Sequence, residues 1–268
     1  MSDNFERIFT GGDFYFRYAK GRSLLHGEEF HEHDEIIFYI GGGAKFISQS
    51  VQAALVPNAV VFVPRGTFHQ LIYDNEDNYE RCIFQFRGNG ALDRLVKSVV
   101  GVARVDTSFD PCTMHIFNSL IKAVDEELSE YERSALLYSS FVKLIMDRKL
   151  FGWREEKNST VLSSVTQRAL EFIEENFSKS ITLADVARDQ HVSLSQLSHS
   201  FKSDLSISVY KYLNERRLSC AHELIKDGVS LGRAAALSGF CDYSSFFRIY
   251  KKKYGICPQE RRKGLNLP

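Results

Sequence analysis

The chain has 268 residues, 44 % hydrophobic and 25 % charged, which are ordinary values for folded domains and exclude disordered or collagen-like order. Its length sits where single cores stop growing, so two domains are expected. Basic and acidic residues cancel at 34 each, and no run approaches about 18 consecutive apolar residues, so no membrane-spanning helix is expected. The opening MSDNFERIFTGGDF lacks the basic n-region and apolar h-region of a secretory signal. Cys82, Cys112, Cys220, Cys241 and Cys257 form no C-x-x-C pair, the pattern of reduced thiols in a cytoplasmic protein.

Along the chain, short β runs come first. They are Phe14–Tyr18, Glu29–His31, Glu35–Ile40, Ala44–Ile47, Val51–Val56, Ala59–Val63, His69–Tyr73 and Glu80–Phe86. Gly41-Gly42-Gly43, Pro57-Asn58, Arg65-Gly66 and Asp74–Asn78 supply turns between them. Strands at this spacing predict an all-β barrel or sandwich, not βαβ units. The first dozen residues read as an N-terminal arm.

After Gly88 the periodicity becomes helical. Ala91–Val100, Met114–Leu128 and Ser134–Leu150 are predicted helices, the last with an apolar stripe Leu137/Phe141/Leu144/Ile145. That stripe can close the barrel's open end or pair two subunits. Residues 152–164, polar and aperiodic, are the predicted linker between a 1–151 domain (barrel about 10–88, helices 91–150) and a 165–268 domain. Charge divides at the same place: residues 1–151 hold 16 Lys/Arg against 21 Asp/Glu, and residues 152–268 hold 18 against 13. An acidic half joined to a basic half points to a nucleic-acid-facing module.

In the basic half, Thr182 caps a helix through Arg188, a tight turn Asp189-Gln-His-Val follows, and Ser193 caps a second helix, Leu194–Ser203. This is a helix-turn-helix pattern. It recurs: Ser230–Leu237 is a short Ala-rich helix, Ser238–Asp242 the turn, and Tyr243–Lys253 a second helix closed by Gly255. Aligning Val186-Ala187 with Ala235-Ala236, and Phe201-Lys202 with Tyr250-Lys251, places the copies 49 residues apart. Between them Val209–Lys226 reads as one helix about 27 Å long, a rod able to hold two recognition helices about one DNA turn (~34 Å) apart.

The segments ITLADVARDQHVSLSQLSHSFK, YLNERRLSCAHELIKDGVSLGRAAALSGF and YSSFFRIYKKKYGICPQERR carry a resemblance. Residues 167–262 resemble the DNA-binding domain of the AraC/XylS family of bacterial transcription regulators. His191 and Ser206 stand where that family has glycine. By position in the resembled motif and by helical phase from Leu197 and Phe201, the groove-facing residues are Ser195, Gln196, Ser198, His199 and Lys202. Their counterparts in the second copy are Tyr243, Ser244, Ser245 and Arg248, with Lys251 and Lys252 as phosphate contacts. Arg248 is the strongest base reader, because guanidinium can bond guanine O6 and N7 together.

More loosely, FHEHDEIIFYIGGGAKF and LVPNAVVFVPRGTFH resemble the cupin-type sensor domain that precedes such modules. Asn58 stands where those barrels have glycine. His31, His33 and Glu35 project to one face if they lie in a strand, and His69 can close the same pocket; with Tyr39 they are the ligand-binding candidates. Metal-binding cupins use two His, a Glu and a later His, a set that suits Fe, Mn, Ni or Zn. Here Glu35 follows His33 by only two residues, shorter than that spacing, so no metal and no other cofactor is expected.

The fold class expected is therefore an all-β cupin-like barrel with following helices, then an all-α double helix-turn-helix domain. The resemblance implies a cytoplasmic regulator, not an enzyme. Its expected partners are promoter DNA, RNA polymerase, a small polar effector such as a sugar, and a second copy paired through residues 114–150. A metal-dependent cupin enzyme (isomerase or dioxygenase) with a helical appendage is the alternative. A basic helical module that binds no DNA is a third reading, opposed by the two groove-sized helices.

Overall fold

The computed structural model describes residues 5–21, 30–31, 33–74, 79–88, 90–107, 110–153, 162–255 and 257–259. The chain divides into two compact units, Met1–Val161 and Leu162–Pro268. Among the described residues no helix is long and apolar enough to cross a membrane.

The first unit runs β1 (Phe5–Gly11), β2 (Phe14–Lys20), β3 (Asp34–Gly41), β4 (Ala44–Ser48), β5 (Gln52–Leu55), β6 (Val60–Val63), β7 (His69–Tyr73), β8 (Glu80–Phe86), α1 (Ala91–Val99), β9 (Arg104–Asp106), α2 (Pro111–Ala123) and α3 (Glu130–Phe151). A six-stranded sheet has the order β1-β2-β8-β3-β6-β9, and a three-stranded sheet the order β5-β4-β7. Central strand β3 is buried along nearly its whole length, because both of its faces are covered. Ile36 and Phe38 point to a core shared with the helices, where Phe117, Leu137, Phe141, Leu144 and Ile145 meet Phe14, Phe16 and Phe84. Ile37 and Tyr39 point the other way, into a second core with Ala44, Phe46, Ala53 and Leu55 of the small sheet.

Two strands were not expected. β1 takes residues assigned to an N-terminal arm, and pairs along its full length with β2 from Phe5↔Lys20 to Gly11↔Phe14. The hairpin turns through Gly12-Asp13, with Gly12 at φ 57°, the Gly-Asp pair that two-residue hairpins favour. The neighbouring Gly11 is required by close approach: a Cβ there would stand 2.7 Å from the Ser134 amide nitrogen, where α3 crosses the strand. Residues 1–4 of the arm lie outside the described residues. β9 pairs with β6, and its Asp106 forms a buried ion pair with Arg148 of α3 at 2.9 Å. Of the expected strand Glu29–His31, Phe30 and His31 are not in a strand and Glu29 is outside the described residues.

The stripe Leu137/Phe141/Leu144/Ile145 is fully buried within this unit, so it closes the barrel and leaves no surface for a partner. Of the two readings of this stripe, its burial supports closing the barrel; a homodimer through other residues of 114–150 is not tested by it. A different set, Tyr131, Ala135, Tyr138, Leu150 and Phe151, is exposed on α3. Ser129 and Glu132 cap the start of that helix reciprocally, a capping box. Of the expected linker, residues 154–161 lie outside the described residues. Trp153 packs against Phe62 with ring centroids 4.8 Å apart, and Ser163 caps the next helix.

The second unit is all helix: α4 (Ser164–Asn176), α5 (Leu183–Asp189), α6 (Leu194–Leu205), α7 (Val209–Lys226), α8 (Leu231–Leu237) and α9 (Tyr243–Tyr254). Helix α7 is the axis. Leu218, Ala221 and Ile225 on it join Ala234, Ala235, Phe246 and Tyr250 in one core, while Phe201 of α6 meets Tyr212 edge-on at 5.5 Å.

Candidate nucleic-acid interface and barrel site

Local sequence dictates where α6 and α9 begin. The Ser193 hydroxyl accepts from the Gln196 amide at 3.1 Å, and the Asp242 carboxylate accepts from the Ser245 amide at 2.7 Å, satisfying donors that a helix start leaves open. Those bonds from Ser245 hold the Asp242 carboxyl below its ordinary range. Each helix ends on a residue in the left-handed region, Ser206 at φ 61° and Gly255 at φ 70°. His191 in the first turn is also left-handed, at φ 54°.

Leu197 and Phe201 bury one face of α6, and Phe246 and Tyr250 the matching face of α9. Each pair lies 49 residues from its counterpart, as aligned from sequence. The first helices differ: Val186-Ala187 correspond to buried Ala234-Ala235, not to Ala235-Ala236, because Ala236 is exposed. The second turn is one residue longer than the first, which absorbs the difference.

Opposite the buried faces, Ser195, His199 and Lys202 lie four and three residues apart on α6, as do Ser244, Arg248 and Lys251 on α9. All six are exposed. At 3.6 residues per turn each trio forms one stripe, so the two helices offer the same series: hydroxyl, imidazole or guanidinium, then ammonium. Gln196, Ser198 and Lys252 are exposed beside these stripes. Tyr243 is exposed at the first turn of α9, where its hydroxyl accepts from Gln259 at 2.8 Å. Ser245 is half-buried, with its hydroxyl bonded to Asp242 at 2.8 Å, so it serves the cap. Lys253, next in the basic run, pairs with Glu215 of α7; Lys251 and Lys252 form no ion pair among the described residues. Leu194, the first residue of α6, is exposed like Tyr243.

In the first unit the barrel candidates converge on Glu35. His31 Nε2 and His33 Nε2 stand 3.6 and 3.7 Å from one carboxylate oxygen, and His69 Nε2 stands 3.5 Å from the other. All four side chains are buried. The convergence does not arise by strand alternation, since β3 starts at Asp34 and both His31 and His33 precede it. The bend before the strand brings His31 and His33 into a stack, with ring centroids 3.9 Å apart. A short spacing to Glu35 is therefore no bar to their meeting. One nitrogen or oxygen each of His31, Glu35 and His69 lies within 4.8 Å of the others, a set able to hold a metal ion. Burial pushes the Glu35 carboxyl up, yet the histidines facing it hold it well below its ordinary range. Burial, reinforced by His31, draws His33 down to about 3.

Tyr39, four residues along the same face of β3, is fully buried with its ring 5.8 Å from that of Tyr79. Sequence reasoning missed Gln85 and Arg81 on β8. Gln85 pairs in register with Glu35, and Arg81 with Tyr39, so period two along β8 was the signal that could have found them. Gln85 Nε2 donates to Glu35 at 2.9 Å. Arg81 is buried, with its guanidinium 4.5 Å over the Tyr79 ring.

Comparison with known proteins finds a domain family and several similar regulators. A helix-turn-helix domain family matches residues 186–264. The chain is 28 % identical over 145 residues to the probable transcriptional regulator LumQ of Photobacterium leiognathi, covering 53 % of this chain and 57 % of that protein. It is 28 % identical to the uncharacterized HTH-type transcriptional regulator YijO of Escherichia coli, covering 82 % and 78 % respectively. The arabinose operon regulatory protein of Escherichia coli is 28 % identical over 61 % of this chain. The chain thus spans little more than half the length of two of these relatives, 57 % and 56 %. All three are regulators, so the relatives give no support to a cupin enzyme. The second unit thus carries a helix-turn-helix domain similar to those of AraC-type transcription regulators.

Proposed function

We propose that the chain is a cytoplasmic, ligand-responsive activator of transcription that acts as a homodimer on promoter DNA. The observation that carries this reading is the repeated stripe, Ser195/His199/Lys202 on α6 and Ser244/Arg248/Lys251 on α9. Two helices of twelve residues, each packed by one face and exposed on the other, suit two successive major-groove entries. Arg248, with Gln196 and His199, reads base edges; Lys202, Lys251 and Lys252 contact phosphates.

The barrel binds the effector. A polar interior set of His31, His33, Glu35, Tyr39 and His69, with Arg81 beside Tyr39, supports a small polar metabolite, a sugar among them, over an apolar one. The exposed α3 face of Tyr131, Ala135 and Tyr138 supports a homodimer, which would match paired half-sites. RNA polymerase is the further partner of an activator.

Selection of duplexes from a random library by the full chain, followed by binding titrations at several salt concentrations, tests the reading. The expected result is an enriched motif bound at least about 10³-fold more tightly than random duplex, with affinity falling steeply as salt rises. Uniform affinity for all duplexes, or none, would overturn it.

A further inference from the structure

Among the described residues the buried arginines are Arg17, Arg81, Arg148 and Arg217. Three of them meet an anion or the carbonyls of a helix end. Arg17 pairs with Glu6 at 3.0 Å, Arg148 with Asp106 at 2.9 Å, and Arg217 donates to the Phe177 and Lys179 carbonyls. Arg81 is the most deeply buried, at 2 % exposure, and has no carboxylate within ion-pair reach among the described residues. Its Nε makes no hydrogen bond. Its Nη1 reaches only the Tyr73 hydroxyl, at 3.4 Å, which is long for such a bond. We propose that the effector of the barrel carries a carboxylate, received by the Arg81 guanidinium with the Tyr39 hydroxyl beside it. This rests on the reading of the barrel as an effector site and names the chemical class that the site takes.

A guanidinium stays charged throughout the range a protein meets, and removing it from water costs more than an aromatic ring beneath it returns. The guanidinium lies 4.5 Å over the Tyr79 ring and 6.0 Å from that of Tyr73. These rings position the group without neutralising it. Glu35, the carboxylate of the same inner face, pairs in register with Gln85, four residues from Arg81 along β8. At about 3.3 Å per residue that is about 13 Å away. Glu35 is moreover bonded by Gln85 and faced by three histidines.

The neighbours of Arg81 suit a carboxylate. Tyr39, its register partner on β3, has a buried hydroxyl with no hydrogen-bond partner. Ala19, its register partner on β2, is a methyl group and offers no acceptor. Burial pushes the Tyr39 and Tyr79 phenols up, so both keep their protons and are donors to an anion. One uncompensated cation matches a singly charged carboxylate, which a guanidinium binds through two parallel hydrogen bonds. A phosphate dianion would leave a second charge buried. The class is therefore a small carboxylic acid.

The test is thermal unfolding of the purified full chain in acetate, in its neutral counterpart acetamide and in D-galactose, with chloride balancing ionic strength. Acetate should raise the melting temperature by about 2–4 °C over acetamide, the shift for a probe at about ten times its Kd. Tyr39→Phe, which removes only the unpartnered hydroxyl, should reduce that shift. Arg81→Met should abolish it and, by removing an uncompensated buried charge, raise the melting temperature of the ligand-free chain. A purely structural guanidinium predicts the reverse, so an Arg81→Met chain that is less stable or fails to fold overturns the proposal. Equal shifts from acetate and acetamide in the wild-type chain, or an acetate shift unchanged in Arg81→Met, also overturn it. A shift with D-galactose and none with acetate would overturn the carboxylate while leaving the barrel an effector site.

Discussion

Arg217 Nε donates to the Phe177 carbonyl oxygen at 2.8 Å, joining the middle of α7 to the end of α4. Its Nη2 donates to the Lys179 carbonyl at 2.9 Å. A helix C-terminus leaves its last carbonyls open and carries partial negative charge, so a guanidinium there serves both needs. The second helix-turn-helix reaches the same spot. Gly239, at φ +85°, lies so close that a Cβ would stand 2.2 Å from that same Phe177 oxygen. Through this contact the turn of the second copy is seated on the first.

Arg217→Ala should therefore destabilise the second unit by about 2–3 kcal/mol, the range for a hydrogen-bonded charge that leaves buried carbonyls unpaired. Gly239→Ala should cost at least about 1 kcal/mol, from its left-handed backbone and from the clash. Denaturant unfolding of the full chain, followed by helical circular dichroism, measures both. A Gly239→Ala chain as stable as wild type would refute the contact.

Among the described residues, the non-glycine residues with positive φ are Asn58 (φ 71°), His191 (φ 54°) and Ser206 (φ 61°). These are the three positions where the resembled sequences carry glycine. Left-handed backbone costs a side chain roughly 1–2 kcal/mol, less for asparagine, and part of any relief is lost to the freer unfolded chain. His191→Gly and Ser206→Gly should each stabilise by about 0.5–1 kcal/mol, and Asn58→Gly should be near neutral. Thermal unfolding decides; a lower melting temperature for both of the first two variants would contradict the strain argument.

The two faces of α3 predict opposite phenotypes. Phe141 is fully buried against Phe14, Phe84 and Phe86, so Phe141→Ala should cost about 3–5 kcal/mol of stability. Tyr131 is 83 % exposed and Tyr138 54 % exposed, so Tyr131→Glu with Tyr138→Glu should leave folding unchanged and convert dimer to monomer in light scattering. A double variant that stays dimeric places the interface elsewhere.

Much of the architecture was legible because local signals and tertiary packing agreed. Ser193 and Asp242 announce α6 and α9, and the apolar steps Leu197/Phe201 and Phe246/Tyr250 fix their buried faces. Strand β1 escaped because it lies at a sheet edge: Glu6, Arg7, Ile8 and Thr10 are exposed, so backbone pairing rather than apolar alternation holds it. Three-residue β9 is too short to show any period. The stripe on α3 was visible, but a stripe alone does not say what covers it. The barrel cluster was named from residue types, whereas its geometry depends on a bend before β3 and on β8 partners that lie about 50 residues away in sequence. Pairwise register of that range is not written in local pattern.

The central claim is that α9 reads base pairs, with Arg248 as reader and Lys251 as a phosphate anchor. Its most direct test is the binding free energy of Arg248→Ala and Lys251→Ala chains on a selected operator and on random duplex, across salt. Arg248→Ala should lose about 1–3 kcal/mol on the operator, relax preference at one base pair, and lose far less on random duplex. Lys251→Ala should weaken both duplexes alike and reduce the salt slope by about one unit. Equal loss on both duplexes for Arg248→Ala would make it a backbone contact, and no loss on either would take α9 out of the groove.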